Sequence, residues 1–315
     1  MRLESLDGDA VDTIPQKLSD TGCFSSTDPL QMVASAIPYE INAPFWSDGA
    51  VKSRFFAIPD GTTIDIDAGD DWVFPDGSVL IKNFRLDGRL IESRMFMRHP
   101  DGTWGGYTWE WNDTETDATR VIGGKVKMIN GQQWIYPSEG ACSTCHTAVA
   151  GFSLGPETAQ VNKVMTYPAP IDVTDNQLDT LNRYGYFTSP QPGSASQPAL
   201  VDVSDPSADA GERARAWLHS NCSTCHRPGG PTPASMDLRH TTALSATGTC
   251  NAQPSSSLGI ANALLIAPGE PDRSVLLSRI SRRDEFGMPP LGSNIVDDAG
   301  IAIVSDWISG LADCN

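Results

Sequence analysis

The pentapeptide Cys-Ser-Thr-Cys-His occurs twice in this chain, at residues 142–146 and again at 222–226. Each copy has the C-x-x-C-H spacing of covalent c-type haem attachment. Two cysteines three apart lie on nearly one face of a helical turn, so both thiols can reach the vinyl groups of a single porphyrin. The histidine that follows offers its imidazole to the iron as proximal ligand. Cys142, Cys145 and His146 thus predict one covalently attached haem c, and Cys222, Cys225 and His226 a second. Two haems in one chain point to electron transfer.

Structural zinc is the competing chemistry, because C-x-x-C pairs also make zinc knuckles. Zinc ribbons separate their pairs by roughly 12–20 residues, whereas 76 residues separate Cys145 from Cys222. A thioredoxin-like redox pair is not expected twice, each time with a histidine directly behind it.

The second copy has a further partner. Gly287-Met288-Pro289-Pro290 lies downstream, with Met288 62 residues after His226. A single-haem cytochrome c lobe needs a loop that brings a Met thioether to the open side of the iron. Prolines beside Met288 would fix its approach, and the thioether would raise the reduction potential. A core methionine before a Pro-rich turn is the plainer alternative.

The first copy has no nearby Met-Pro-Pro loop. Its candidate sixth ligands are Met165, Met128, His99 and His219. Met165 is 19 residues beyond His146, and His219 precedes Cys222 by one turn. Each has an ordinary packing or surface role as its alternative, and an open coordination position is a fifth possibility.

At 315 residues the chain is long enough for two domains with their own cores. No apolar run approaches the ~20 residues of a membrane span. Residues 1–12 are polar and acidic, without the basic start or apolar centre of a signal peptide. Haem attachment is ordinarily extracytoplasmic, so a periplasmic or secreted location is expected, with a leader or a larger upstream region missing from this chain. A net charge of −17 makes nucleic acid an unsuitable partner. The acidic surface serves solubility, or steers a basic redox partner.

Seven cysteines less the four in the pentapeptides leave Cys23, Cys250 and Cys314. In an oxidising compartment two of these should pair. A bridge from Cys250 to Cys314 would tie the closing helix to the loop before it, but Cys23 could pair with either, and sequence does not decide.

Residues 39–136 read as β-structure. Runs at 52–58, 78–84, 90–98 and 106–111 are apolar or aromatic and are spaced by turn signals such as Pro75-Asp76-Gly77 and Asp87-Gly88. Tyr107, Trp109 and Trp111 alternate with Thr108 and Glu110, which is the period of a half-buried strand. Those aromatics suit a core, with a carbohydrate-binding face as the alternative. The Asp-rich stretches 65–71 and 112–117 lack the spacing of a calcium loop and read as solvated turns.

Beyond residue 140 helices are expected. One lies around 176–184; another at 207–221 leads into the second pentapeptide. Pro271 opens a third, running through Ile280. Asp297 caps the last, with Ile301, Val304, Ile308 and Leu311 on one face. The expected fold class is α+β: an N-terminal β-sandwich-like domain, then mainly α-helical cytochrome c-type haem regions. The expected boundaries are 1–137 for the β-rich domain, 138–188 for the first haem region, 189–206 for a linker, and 207–315 for a class I cytochrome c-like domain.

Several strings carry a family resemblance. They are Leu18-Ser19-Asp20-Thr21-Gly22-Cys23, Asn42-Ala43-Pro44-Phe45-Trp46-Ser47-Asp48-Gly49 and Arg98-His99-Pro100-Asp101-Gly102-Thr103-Trp104. Asn221-Cys222-Ser223-Thr224-Cys225-His226-Arg227-Pro228-Gly229-Gly230 and Met288-Pro289-Pro290-Leu291-Gly292-Ser293 complete the set. Together they resemble bacterial dihaem c-type cytochromes, including modules fused behind pyrroloquinoline-quinone-dependent sugar dehydrogenases. The resemblance implies an extracytoplasmic electron carrier that exchanges electrons with a dehydrogenase, such as a sugar-oxidising one, and a second redox partner. Two other readings stand beside it. One is a dihaem peroxidase with an open first haem; the other is a carbohydrate-associated redox module.

Overall fold

A computed structural model describes residues 14–25, 27–67, 69, 71–169 and 172–314. The acidic start, residues 1–12, lies outside the described residues, as do Ala68 and Asp70 of the first Asp-rich stretch. The chain divides into two compact units. One comprises Met1–Asn42 with Ala50–Ala199, the other Ala43–Gly49 with Leu200–Asn315.

The first unit is built on a six-stranded antiparallel sheet in the order β1-β2-β5-β6-β7-β8. These strands are β1 (Ile37–Tyr39), β2 (Val51–Ala57), β5 (Val79–Leu86), β6 (Arg89–Arg98), β7 (Trp104–Trp111) and β8 (Ala118–Arg120). Two-stranded ribbons accompany it: β3 (Asp65–Ile66) with β4 (Trp72–Val73), β9 (Lys125–Ile129) with β10 (Gln132–Tyr136), and β11 (Val164–Thr166) with β12 (Thr174–Asn176). Asp87 and Gly88 both take positive φ, 50° and 82°, so they make the tight β5–β6 hairpin. That turn matches the twist of the strands it joins.

Period-two alternation gives this sheet two buried faces. Ile81, Met95, Tyr107, Trp109 and Trp111 point to one, where Ile14, Leu18, Cys23 and Phe24 cover them. Trp109 and Trp111 are at most 1 % exposed, so these aromatics are core and form no sugar-binding face. Phe56, Leu80 and Phe96 point to the other face, against Trp72, Phe74, Met165, Tyr167 and Leu178. Each such side chain contributes ~1.5–3 kcal/mol by leaving water.

The second unit holds α4 (Ala210–Cys222), α5 (Val275–Ile280) and α6 (Asp298–Gly310). Asp209 caps α4 by accepting from the amides of Gly211 and Glu212. Asp297 caps α6 through the Gly300 amide, and its other oxygen accepts from Trp217 Nε1 at 2.7 Å. Ala214, Trp217, Leu218, Val304, Trp307 and Ile308 fill the core between α4 and α6. Cys250 and Cys314 form a disulfide, and Cys23 is a buried thiol outside it.

The expected fold class needs correction. The β-rich part has one large sheet with short ribbons beside it, where a sandwich would have two facing sheets. The haem-motif regions are not mainly α-helical. Over 138–188 the helices α1 (Glu139–Cys142), α2 (Thr158–Val161) and α3 (Gln177–Arg183) have four, four and seven residues. In the second unit, irregular turns fill most of the chain between α4 and α5. The reason is local: Pro228, Gly229, Gly230, Pro231 and Pro233 cannot propagate a helix, and Asp237 bonds its own neighbours instead.

Candidate functional site

Both pentapeptides close the same turn. The amides of Cys145 and His146 donate to the Cys142 carbonyl at 3.3 and 3.0 Å. Those of Cys225 and His226 donate to the Cys222 carbonyl at 3.1 and 2.9 Å. Neither cysteine pair is closed into a disulfide, and all four residues are partly buried. Each turn thus presents two thiols and an imidazole in the order that haem attachment requires.

The first turn lies on the sheet. Its helix α1 is anchored by Arg120 of β8, whose guanidinium makes a two-pronged bond to Glu139 at 2.6 and 3.0 Å. Gly106 in β7 makes room for it: a Cβ there would stand 2.4 Å from Cys142 Sγ. The His146 ring lies on Phe96 with centroids 4.0 Å apart, and Phe96 stacks in turn on Trp104 at 4.9 Å. His146 Nδ1 donates to the Phe152 carbonyl at 2.6 Å. That bond orients the ring and leaves the Nε2 lone pair as the metal-binding atom. Burial, helped by the charges of Lys82 and Arg94, pushes the imidazole pKa down to about 3 and keeps it neutral, the form that binds iron.

The candidate sixth ligands fall in different places. Met165 is buried in the core against which Cys142 also packs. His99 is buried with Nε2 bonded to the Tyr107 hydroxyl at 2.9 Å. Met128 is 58 % exposed on the β9–β10 ribbon, where it lines a cavity of about 240 Å³ with Arg89, Asp113 and Tyr136. His219 belongs to the second unit, where Nδ1 accepts from the His240 amide at 3.2 Å.

The second turn ends α4. Burial raises the Cys222 thiol to about 12 and lowers the His226 imidazole, with Arg279 adding to the latter. The Met288 amide donates to the carbonyl of that same Arg279 at 2.9 Å. Arg283 Nη1 donates to the Met288 carbonyl, also at 2.9 Å. Gly287 allows this close return: a Cβ there would stand 2.4 Å from the Arg282 carbonyl oxygen. Phe286, Leu291 and Ile295, close to Met288 in the chain, are each about 40 % exposed.

Segment Ala43–Gly49 braces this loop from within the second unit. The Trp46 amide donates to Asn221 Oδ1 at 2.8 Å, one residue before Cys222. Trp46 Nε1 donates to the Ile295 carbonyl at 2.8 Å. The buried Asp48 carboxylate accepts from Ser293 Oγ at 2.6 Å and from the amides of Asn294 and Ile295 at 2.9–3.1 Å. The resemblance had marked this string without a role for it. Its signal was an Asp and a Trp in a polar turn, which names no partner.

A second group escaped sequence reasoning. Arg54, Lys82 and Arg94 stand side by side on the sheet face that carries Phe96. Their signal was present in the basic residues at inward-facing strand positions, but strand pairing was needed to bring them together.

The donor set at each turn fits a covalently attached haem: two thiols outside any disulfide, a histidine and, at the second, a methionine loop. Compared with models of known protein families, with curated proteins and with solved structures, the chain matches none of them.

Proposed function

We propose that this chain is a dihaem c-type cytochrome that carries electrons between an extracytoplasmic dehydrogenase and a second redox partner. The observation that carries the reading is the repeated turn: one pentapeptide, folded alike twice, with its thiols outside disulfides and its histidine at the close. A haem attached at such a turn supplies a one-electron iron centre. Cys142 and Cys145 hold the first haem, Cys222 and Cys225 the second. His146 and His226 give each iron a neutral imidazole nitrogen, and Met288 gives the second iron a thioether that raises its potential. The Trp46–Asp48 brace and Arg283 fix the Met288 loop. The Cys250–Cys314 disulfide suits a periplasmic or secreted protein.

Substitution of the thioether tests the reading. A Met288→Ala holoprotein should show one haem of lowered potential that now binds carbon monoxide, with the other haem unchanged. Identical spectra and potentials in variant and parent would remove Met288 from the iron. A first haem that binds carbon monoxide in the parent and turns over hydrogen peroxide with a reduced donor would replace the carrier reading with a peroxidase.

A further inference from the structure

The sheet face that carries Phe96 is ordered in cross-strand rows. Phe56, Leu80, Phe96 and Gly106 form one row, and the His146 ring lies on it. The next row reads Tyr39, Arg54, Lys82, Arg94 and Thr108 across five strands. Three cations in register, one strand spacing of about 4.8 Å apart, repel one another. Lys52 adds a fourth on the same face, two residues from Arg54.

Part of that charge is compensated. Arg94 makes a two-pronged bond to the buried Glu92 at 2.6 and 2.9 Å. Lys82 Nζ donates to the Leu154 carbonyl at 3.2 Å, and Glu40 lies near Arg54. Burial and its neighbours Arg54 and Arg94 push Lys82 down to about 7. A chain of net charge −17 has therefore gathered half-buried basic groups on one sheet face at a cost to their ionised forms. Both ends of the row add an independent sign. The hydroxyls of Tyr39 and Thr108 are buried, and neither has a hydrogen-bond partner among the described residues. Buried polar groups are normally satisfied, so a missing acceptor fits both the hydroxyls and the cations. The row adjoins the first pentapeptide: the His146 ring lies on Phe96, two residues from Arg94 along β6, and Cys142 lies against Gly106, two residues from Thr108 along β7.

We propose that the row Tyr39, Arg54, Lys82, Arg94 and Thr108 is a carboxylate-binding site that holds the propionates of the first haem. This rests on the assignment of residues 142–146 as a haem-attachment turn. A haem fixed through Cys142 and Cys145 brings its two carboxylates within the same unit as the row. Two anions would relieve the repulsion and supply acceptors for the hydroxyls. Cations around a carboxylate keep it ionised.

The test uses the holoprotein and an Arg54→Gln, Lys82→Gln double variant. Arg94 is left in place, because its loss would strand Glu92 as a buried unpaired charge. The readout is the midpoint potential of each haem against pH. In the parent, the first-haem potential should be flat from about pH 5 to 8, because its carboxylates stay ionised. In the variant it should fall and acquire a slope in that range, with the second haem unmoved. A Tyr39→Phe, Thr108→Val variant, nearly isosteric, should give a smaller change of the same kind if the charge variant does not fold. Haem on the 142–146 peptide with an unchanged pH profile in both variants overturns the propionate site alone. Absence of haem from that peptide overturns both this site and the proposed function. Binding of inorganic phosphate by the parent holoprotein, lost in the variant, would show that the row takes a free anion, and would also overturn the assignment.

Discussion

At residues 142–146 the Cys-Ser-Thr-Cys-His turn lies against a broad antiparallel sheet, and at 222–226 the same five residues end a thirteen-residue helix in a small unit. The turn hydrogen bonds agree to within a few tenths of an ångström, so the turn geometry is local to the pentapeptide. What differs is everything that tertiary structure adds. The first turn has a stacked phenylalanine, a carbonyl for its imidazole N–H and a row of basic side chains. The second has a methionine loop and a braced carboxylate. The comparison teaches that five residues suffice to specify the turn. What each turn faces, a methionine loop or a row of cations, depends on residues far away in the chain.

The strongest way to break that comparison is to remove one attachment at a time. Cys142→Ser with Cys145→Ser, and separately Cys222→Ser with Cys225→Ser, should each halve the haem content, read by absorbance per chain. The surviving haem should keep the spectrum of its own site, methionine-ligated only when residues 222–226 are intact. Loss of both haems in either variant would mean that the sites are not locally specified.

The units also differ in what holds them. The first has cores on both faces of its sheet, while the second is closed by a disulfide spanning 64 residues. Chain-entropy reasoning gives such a bridge about 4 kcal/mol. Cys250→Ser with Cys314→Ser should lower the unfolding free energy read from the second haem's signal by that order and leave the first haem's signal in place. Equal shifts of both signals would show that the units unfold together.

Gly106→Ala sharpens the contrast from the other side. The added methyl falls against Cys142 Sγ, and overpacking of this kind costs up to about 3 kcal/mol. The midpoint of the first haem's signal should fall and the second's should not.

The smallest effect concerns Asp237, in the turns after the second pentapeptide. The Arg239 guanidinium, followed by the Thr242 hydroxyl, lowers its carboxyl pKa from 3.8 to about 2. A depressed carboxylate stabilises the fold above its unfolded pKa, and that contribution fades as pH falls through the folded value. With solvent screening its worth at neutral pH is about 1 kcal/mol. Asp237→Asn should therefore cost roughly that much at pH 7, with the gap from the parent closing between about pH 4 and 2. A gap that persists at pH 2 would assign the effect to packing.

Much of the regular structure was legible in the sequence. Four main strands emerge as β2, β5, β6 and β7 close to where alternation and turn residues placed them, because each rests on local signals. Asp297 caps α6 as expected, whereas α4 starts at Ala210 behind Asp209, three residues after the expected 207. The fold class went wrong where the signal was absent. Residues 223–274 have neither helical nor strand periodicity, and a helical label was extended over them from the helices on either side. At the candidate sites, the pentapeptides stand out in the sequence because their residues are contiguous. The basic row does not, since Arg54, Lys82 and Arg94 become neighbours only through strand register, with a bulge between Phe84 and Arg85 nearby. Nor does the brace on the Met288 loop, where Asp48 meets an amide 247 residues away.

The central claim is that both turns carry covalent haem, and peptide mass mapping of the protein matured in a haem-attaching periplasm tests it most directly. The account predicts two haem-bearing peptides, one containing Cys142 and Cys145, the other Cys222 and Cys225. Haem on one peptide alone would reduce the chain to a single-haem protein with a cysteine turn of other use, and haem on neither would contradict the account.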